Sequence, residues 1–336
     1  MLSAFVTGLA STELEAHEAA MLRDTRPCGV ILFARNVLDP EQVLRLASAA
    51  RDAVGEDILV LVDQEGGRVR RLTPPHWREL PPAAAYARLY LQDPEGACRS
   101  AYLAARLTAA ELRAVGINTN CAPVLDVPVK GSHDIIGDRA YGARADQVAA
   151  LGRAVAEGHM AGGVLPVIKH VPGHGRATKD SHLELPAVSA TRADLDRTDF
   201  APFRALADMP AAMTAHVVFE AIDREQPAST SARVIREVIR EAVGFDGLLM
   251  SDDLGMKALS GSMADRAKAV LAAGSDLALV CSGDIADTEA VARVVAPLEG
   301  VARKRFDRAF AVLRQQAPFD LAEAQAGLAH ALRAMA

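Results

Sequence analysis

The sequence predicts an α/β fold, specifically a (β/α)8 TIM-type barrel in a single domain. Short apolar runs alternate along the 336 residues with amphipathic stretches rich in Ala, Arg, Glu and Leu. Most of the apolar runs have the nearly continuous hydrophobic character of parallel strands that are covered on both faces. Eight such runs with helices between them favour a closed parallel barrel, although a doubly wound sheet fits the alternation almost as well.

The candidate elements follow one another without an internal repeat or a long linker, which favours one domain over residues 1–336. Clear helical patterns occur at 39–54 and at 229–243, and the second opens with Ser and Thr capping residues and ends before Gly244. The segment from about residue 300 is also predicted to be helical, and we expect it to close the barrel or to lie at an interface. The eight candidate strands are 3–9, 29–35, 58–64, 117–124, 164–170, 211–217, 247–253 and 276–281.

Composition restricts the class of protein. Half of the residues are apolar, so a sizeable core is possible, and the net charge of −6 argues against nucleic acid or an anionic membrane surface as the partner. The N-terminus lacks the basic region and cleavage site of a signal peptide, and no apolar run approaches membrane-spanning length. The four cysteines form no CxxC pair and indicate thiols in a reducing compartment. We therefore expect a cytoplasmic protein.

Polar residues recur where the predicted strands end. They occur at 63–65 at the end of the third strand, at 169–170 at the end of the fifth, at His216 in the sixth and at 251–253 at the end of the seventh. Any one of these groups alone is more often a loop residue that caps a helix. Chemistry in a (β/α)8 barrel takes place at the C-terminal ends of the strands, so their recurrence there predicts a functional site.

The stretch KHVPGHGRATKDSH, residues 169–182, concentrates ionisable groups in a segment that is neither a regular helix nor a strand. A metal site is disfavoured, because the proline and glycine between His170 and His174 exclude the helix that makes HxxxH a ligand pair. A phosphate site is also disfavoured, because residues 173–175 match neither the P-loop nor the dinucleotide fingerprint. It remains a minor alternative, because a lysine beside glycines could still hold an anion.

An acid/base loop explains this stretch better. Asp180 and His182 flank Ser181, so a carboxylate can bond one imidazole nitrogen and raise the basicity of the other. In isolation, Asp-Ser-His is more simply a solvated loop.

In the seventh strand, Asp252 and Asp253 can divide two roles: one points into the barrel mouth as a nucleophile or ligand, and the other caps the following LGMKAL segment.

Seven motifs, taken in order from about residue 3 to residue 285, resemble glycoside hydrolase family 3. Within that family the sequence is most similar to the bacterial β-N-acetylglucosaminidases of peptidoglycan recycling, the single-domain NagZ type. Three positions depart from the family pattern: Val171 stands where phenylalanine is usual, Asp138 where glutamate is common and Gly255 where serine is common. The motifs are VDQEGGRVRRL (62–72), APVLDV (122–127), IGDRAYG (136–142), KHVPGHG (169–175), DSH (180–182), PAS (227–229) and GLLMSDDLGMKAL (247–259).

The resemblance implies a retaining, exo-acting enzyme that removes terminal GlcNAc from GlcNAc-1,6-anhydro-N-acetylmuramic acid, with or without peptide. It assigns Asp252 as nucleophile, His182 as acid/base and Asp180 as the residue that orients His182. It implies no metal and no cofactor, a small carbohydrate as partner, and we expect a monomer. The residues it implies for binding the terminal sugar are Asp63, Arg71, Arg139, Lys169 and His170.

Three alternatives remain open from the sequence. Phosphate could replace water as the acceptor, which would make the protein a β-GlcNAc phosphorylase. The enzyme could be a broader family 3 β-glycosidase. In a different class of function, the barrel could bind sugar without catalysis.

The backbone near the start of the ionisable stretch yields a separate prediction. Successive side chains of a strand point to opposite faces, yet the neighbours Lys169 and His170 are both expected at one sugar. A bulge, a sharp bend or a cis peptide would break the alternation. We predict that Lys169–His170 or Val171–Pro172 is cis, and that His174 packs beneath the turn as a structural residue.

Overall fold

A closed barrel of eight parallel strands forms the centre of the molecule, which confirms the predicted fold. The computed structural model describes residues 1–335. The barrel strands are β1 (Ser3–Gly8), β2 (Pro27–Leu32), β3 (Leu59–Val62), β4 (Thr119–Asn120), β5 (Leu165–Val171), β7 (Ala211–Thr214), β9 (Leu248–Asp253) and β10 (Leu277–Val280). Their order around the barrel is β1-β10-β9-β7-β5-β4-β3-β2. A separate parallel pair consists of β6 (Ala187–Val188) and β8 (Val218–Phe219).

Each barrel strand overlaps one of the runs that the sequence predicted. The strands are apolar because both of their faces are covered, and all six residues of β2 are buried. The register between β2 and β3 is regular, from Gly29 opposite Leu59 to Leu32 opposite Val62. β4 is much shorter than the predicted 117–124, and Pro123, which has no amide hydrogen, lies just beyond it.

Eleven α-helices are described in residues 1–335. They are α1 (Ala16–Thr25), α2 (Pro40–Val54), α3 (Ala83–Tyr90), α4 (Pro94–Ala114), α5 (Ala145–Ala161), α6 (Arg192–Arg197), α7 (Ala201–Ala205), α8 (Met263–Ala273), α9 (Ile285–Ala292), α10 (Gly300–Ala311) and α11 (Leu321–Met335). Short 3-10 turns occur at Ala34–Asn36, Gly137–Arg139 and Val312–Arg314.

Local signals explain the helix that the sequence predicted at 39–54. Asp39 caps α2 by accepting a hydrogen bond from the Gln42 amide at 2.8 Å, and Pro40 occupies the first turn. Gly55 ends the helix in the left-handed region with φ of 73°. The helix predicted at 229–243 exists but has π-type hydrogen bonding over Val234–Ala242.

The helical segment from residue 300 packs on the outside of the barrel. The pairing of β1 with β10 closes the barrel, so the segment is not needed for closure. Phe306 and Ala309 of α10 are buried in the main core, while Ala324 and Leu328 of α11 join a second apolar cluster beside α3 and α4. Within residues 1–335, no helix combines the length and the apolar character that crossing a membrane requires.

Candidate active site

A cavity of about 280 Å³ opens at the C-terminal ends of the barrel strands. Its volume lies near the lower limit of the roughly 300–1,000 Å³ that is usual for small-molecule sites. Apolar side chains such as Phe33 and Met256 line part of the wall. The predicted site residues that line it are Asp63, Arg71, Arg139, Lys169, His170, His182 and Asp252.

Ion pairs connect four charged residues on one side of the cavity. Lys169 Nζ lies 2.8 Å from Asp63 Oδ1 and 2.7 Å from Glu65 Oε1, and its side chain is only 3% exposed. Arg139 binds Glu65 with two hydrogen bonds of 2.9 Å, from Nε to Oε2 and from Nη2 to Oε1. Glu65 therefore joins two of the predicted sugar-binding cations, and its own role was missed from the sequence.

Charge pairing keeps these buried groups ionised. Burial alone would lower the pKa of Lys169, but the carboxylates of Asp63 and Glu65 reverse this and raise it. Burial would likewise raise the pKa of Glu65, but Lys169 and Arg139 hold it well below the usual value. The cluster therefore presents fixed charges at neutral pH, and its ionised donors and acceptors are suited to binding sugar hydroxyls.

Arg71 completes this side of the cavity. Its Nη2 donates to Asp63 Oδ2 at 3.2 Å, and its guanidinium carbon lies 5.4 Å from the centroid of the Phe33 ring. Its buried Nε has no hydrogen-bond partner among the described residues. Because an unpaired buried donor is costly, a bound ligand that accepted this hydrogen bond would be favoured.

His170 is held by Asp126, a fully buried carboxylate that the sequence reasoning did not single out. His170 Nδ1 lies 2.7 Å from Asp126 Oδ2, and the His170 amide donates to Oδ1 at 3.3 Å. The pKa of Asp126 would be raised by burial, but His170 and His174 lower it overall. Asp126 therefore fixes the orientation of the imidazole in the cavity.

The backbone prediction for this stretch is confirmed. Both the Lys169–His170 and the Val171–Pro172 peptide bonds are cis, and the side chains of Lys169 and His170 line the same cavity. His174 is buried as expected, with its ring centroid 5.8 Å from that of His170. Burial lowers the pKa of His174 to about 4, so this imidazole is neutral at physiological pH.

The predicted acid/base dyad lies on the loop between β5 and β6. His182 Nδ1 is 2.8 Å from Asp180 Oδ1, and the same oxygen accepts the His182 amide at 2.9 Å. The hydrogen bonds to His182 lower the pKa of Asp180 against the opposing effect of burial. The His182 side chain is 60% exposed and lines the cavity, whereas Asp180 lies behind it. This arrangement leaves Nε2 of His182 available for proton transfer.

Asp252 and Asp253, at the end of β9, have different environments. Burial would raise the pKa of Asp252, but the imidazoles of His170 and His216 and the amide of Asp253 lower it, so Asp252 is a carboxylate at neutral pH. Asp253 Oδ1 accepts hydrogen bonds from the Gly255 and Cys281 amides, both at 3.0 Å. The LGMKAL segment forms turns and not a helix, so Asp253 caps a turn.

His216, which the sequence marked only as a polar strand residue, is structural. Its Nε2 donates to the Asp253 carbonyl at 3.0 Å, and its Nδ1 lies 2.7 Å from the Ser229 hydroxyl. Burial lowers its pKa. Its contacts support the strand end that carries Asp252, and its place in the apolar run predicted as the sixth strand was the only signal in the sequence; in the structure it lies just beyond the end of β7.

No group of three or more His, Cys, Asp or Glu side chains in residues 1–335 is arranged to hold a metal ion. The acidic residues that line the cavity are partnered by cations or backbone amides instead. The site can therefore act chemically through a carboxylate, an imidazole and charged hydrogen-bonding groups.

Known proteins resemble the chain in sequence and in structure. Residues 4–314 match the family described as "Glycosyl hydrolase family 3 N terminal domain". A protein named Beta-hexosaminidase from Bordetella pertussis is 42% identical over 283 residues, which are 83% of this chain and 80% of that protein. Another of that name, from Thiobacillus denitrificans, is 37% identical over 311 residues, covering 91% of this chain and 86% of that protein.

Two solved structures extend the similarity to the whole fold. The crystal structure of native NagZ from Neisseria gonorrhoeae has a TM-score of 0.87 and 30% identity, and the match covers 98% of each chain. A glycoside hydrolase family 3 β-N-acetylglucosaminidase from Paenibacillus sp. str. FPU-7 has a TM-score of 0.84 and 31% identity, with 98% of this chain matching 66% of that one. The chain therefore belongs to glycosyl hydrolase family 3 and is a glycoside hydrolase of the β-hexosaminidase type.

Proposed function

We propose that the protein is a retaining, exo-acting β-N-acetylglucosaminidase. The observation that carries the proposal is the meeting of an ionised carboxylate, Asp252, and an Asp-supported imidazole, His182, on the wall of one small cavity. A nucleophile and a proton carrier are the two groups that a double displacement at a sugar carbon requires. The names of the relatives supply the sugar, N-acetylglucosamine.

In the first step, an oxygen of Asp252 attacks the anomeric carbon while the bond from that carbon to the leaving group breaks. His182 Nε2 gives its proton to the leaving oxygen, and Asp180 stabilises the imidazole in both protonation states through Nδ1. In the second step, His182 takes a proton from water, whose oxygen attacks the same carbon and releases Asp252. The two inversions give net retention.

The ion-paired side of the cavity supplies the sugar-binding part of the proposal. Asp63 would accept hydrogen bonds from sugar hydroxyls, while Arg71, Arg139, Lys169 and His170 would donate. These side chains are held by contacts with one another and with Glu65 and Asp126, which limits the entropy that is lost on binding. A small cavity with charged groups on its wall suits a terminal sugar and therefore exo-action.

The proposed natural substrate is GlcNAc linked to 1,6-anhydro-N-acetylmuramic acid, with or without peptide, and the proposed setting is a monomer in the cytoplasm. Four free cysteines suit a reducing compartment. Incubation with this disaccharide, with and without its peptide, should release free GlcNAc detectable by mass spectrometry. If aryl β-GlcNAc glycosides are cleaved and neither fragment is, the natural substrate is wrong while the activity stands.

A substrate and variant panel tests the activity itself. Aryl β-GlcNAc glycosides should be hydrolysed in preference to the corresponding β-Glc and β-Xyl glycosides. His182→Ala should abolish cleavage of unactivated glycosides but retain attack on activated ones, and added azide should be incorporated as a β-glycosyl azide. The exposed His17, which lies outside the cavity, provides the control variant His17→Ala. Equal activity of His182→Ala and wild type would refute the acid/base assignment.

A further inference from the structure

The acid/base loop, residues 176–186, follows the turn after β5 and is held to that turn at a point that the proposed mechanism does not use. His182 and Asp180 bond each other, and within residues 1–335 no side-chain hydrogen bond ties His182 directly to the barrel. Both residues belong to the same loop. The position of the proton carrier relative to Asp252 therefore depends on what holds the rest of the loop in place.

Ser181, between the two dyad residues, points the opposite way. Asp180 and His182 are partly exposed, whereas Ser181 is only 2% exposed. Its hydroxyl lies 3.0 Å from Nε2 of His174, which is itself 3% exposed. This hydrogen bond joins the loop, through Ser181, to the turn that follows β5, through His174.

The His174 side of this contact is firmly fixed. Its amide donates to Asp126 Oδ1 at 2.7 Å, and Asp126 also holds His170 on the cavity wall. Its Nδ1 has no partner among the described residues, so protonation would add a buried donor without an acceptor. The imidazole is therefore neutral and is available to the Ser181 hydroxyl across the neutral pH range.

Two backbone hydrogen bonds attach the dyad segment itself, and both are long. The Ala258 amide donates to the Ser181 carbonyl at 3.2 Å, and the Lys257 amide donates to the His182 carbonyl at 3.4 Å. Both lie beyond the usual 2.9–3.0 Å for N–H···O bonds and are weaker than a bond of ideal length. The earlier part of the loop is held separately, by the His133 amide on the Ala177 carbonyl at 2.8 Å and by Arg176 Nε on Asp199 Oδ2 at 2.6 Å. The buried side-chain contact is therefore a substantial part of what fixes the dyad over the cavity.

We propose that the His174–Ser181 hydrogen bond is a latch that places the His182–Asp180 dyad for proton transfer, so that His174 and Ser181 are positioning residues. This rests on the proposed role of His182. Without the latch, the loop would still form the dyad, but the dyad would occupy the productive position for a smaller fraction of the time. Loss of a neutral hydrogen bond also leaves a buried polar group unpaired. Together these effects change the equilibrium between the productive and unproductive positions of the dyad by about tenfold.

The test compares two β-GlcNAc substrates, one with a 2,4-dinitrophenyl leaving group that departs unprotonated and one with an alkyl leaving group that needs a proton. Ser181→Ala should lower kcat/KM about tenfold for the alkyl glycoside and less than about twofold for the activated one. The ratio of the two values does not depend on the fraction of enzyme that is folded. His174→Ala should reproduce the change, His174→Gln should largely restore the ratio, and the double variant should add little to either single loss.

Ser100→Ala is the matched control, because Ser100 is a buried serine whose hydroxyl donates one hydrogen bond, to Gly96 O inside α4, away from the loop. Its substrate ratio should equal that of wild type. Equal losses on both substrates, or no loss on either, for Ser181→Ala would overturn the latch. If His182→Ala itself showed no dependence on the leaving group, the acid/base assignment would fail instead, so the two failures are distinguishable.

Discussion

Asp63 provides the sharpest quantitative prediction about substrate binding. Its two carboxylate oxygens are fixed by separate cations, Oδ1 by Lys169 Nζ at 2.8 Å and Oδ2 by Arg71 Nη2 at 3.2 Å. Each oxygen retains acceptor capacity for a sugar hydroxyl, because a carboxylate offers about four lone-pair sites. Asp63→Ala removes both acceptors and leaves the buried Lys169 with Glu65 as its remaining partner.

The magnitude follows from these contacts. Hydrogen bonds to charged groups contribute about 1.5–3 kcal/mol each, so two of them amount to about 3–6 kcal/mol of transition-state stabilisation. At about 1.4 kcal/mol per factor of ten, kcat/KM should fall by about 10² to 10⁴. Asp63→Asn, which preserves the shape but loses the charge, should fall between wild type and Asp63→Ala.

The assay is the initial rate of aryl β-GlcNAc hydrolysis, with the thermal midpoint of each variant measured alongside. Asp208 provides the control, because it pairs with Arg153 through two hydrogen bonds on the exposed surface, and Asp208→Ala should leave kcat/KM unchanged. A loss of less than about tenfold in folded Asp63→Ala would show that Asp63 only orders the end of β3.

Three further predictions concern Glu65, Asp126 and the molecule that accepts the sugar. Glu65→Gln should destabilise the fold by about 3–5 kcal/mol at neutral pH, because it leaves Lys169 and Arg139 without their shared anion. Because folding lowers the pKa of Glu65, its ionised form stabilises the protein above the ordinary pKa of 4.5, and this contribution is lost as the pH falls below that value. The free energy of unfolding in urea should therefore fall more steeply from pH 7 to pH 3 for wild type than for Glu65→Gln. Parallel curves would contradict this. Asp126→Asn should lower kcat/KM by about 10- to 100-fold, because an amide nitrogen can replace the acceptor at 2.7 Å from His170 Nδ1, and an unchanged value would mean that Asp126 is only structural. Added phosphate should leave the rate of hydrolysis unchanged, with free sugar and no sugar phosphate as product, and a phosphorylated sugar would establish the phosphorylase alternative.

The barrel strands could be predicted because burial on both faces leaves a direct mark on sequence. A strand such as β2 is apolar at nearly every position, and the polar residues begin where the strand ends at the barrel mouth. The two-residue strand β4 shows the limit of this signal, since apolar composition does not reveal where hydrogen-bonded pairing stops. The π-type hydrogen bonding of Val234–Ala242 is likewise absent from its amphipathic pattern.

Glu65 and Asp126 show why part of the site could not be predicted. Glu65 directly precedes Gly66 and Gly67, which have φ values of 98° and 55°, so strand alternation no longer determines where its side chain points. Asp126 lies beyond β4 in a segment without regular structure, and its three hydrogen bonds to residues 170 and 174 depend on tertiary folding. The catalytic candidates could be named because the resemblance assigns Asp252 and His182 by motif, whereas their supporting contacts became visible only in three dimensions.

Covalent trapping tests the central claim most directly. A fluorinated GlcNAc donor with an activated leaving group should form its glycosyl-enzyme quickly and hydrolyse it slowly, because fluorine destabilises the positive charge that develops at the transition state. Proteolysis and tandem mass spectrometry should then locate one sugar on Asp252, and Asp252→Asn should take up none. A sugar on any other residue, or release of the leaving group without any mass increase while unlabelled GlcNAc substrates are still turned over, would contradict a covalent mechanism through Asp252.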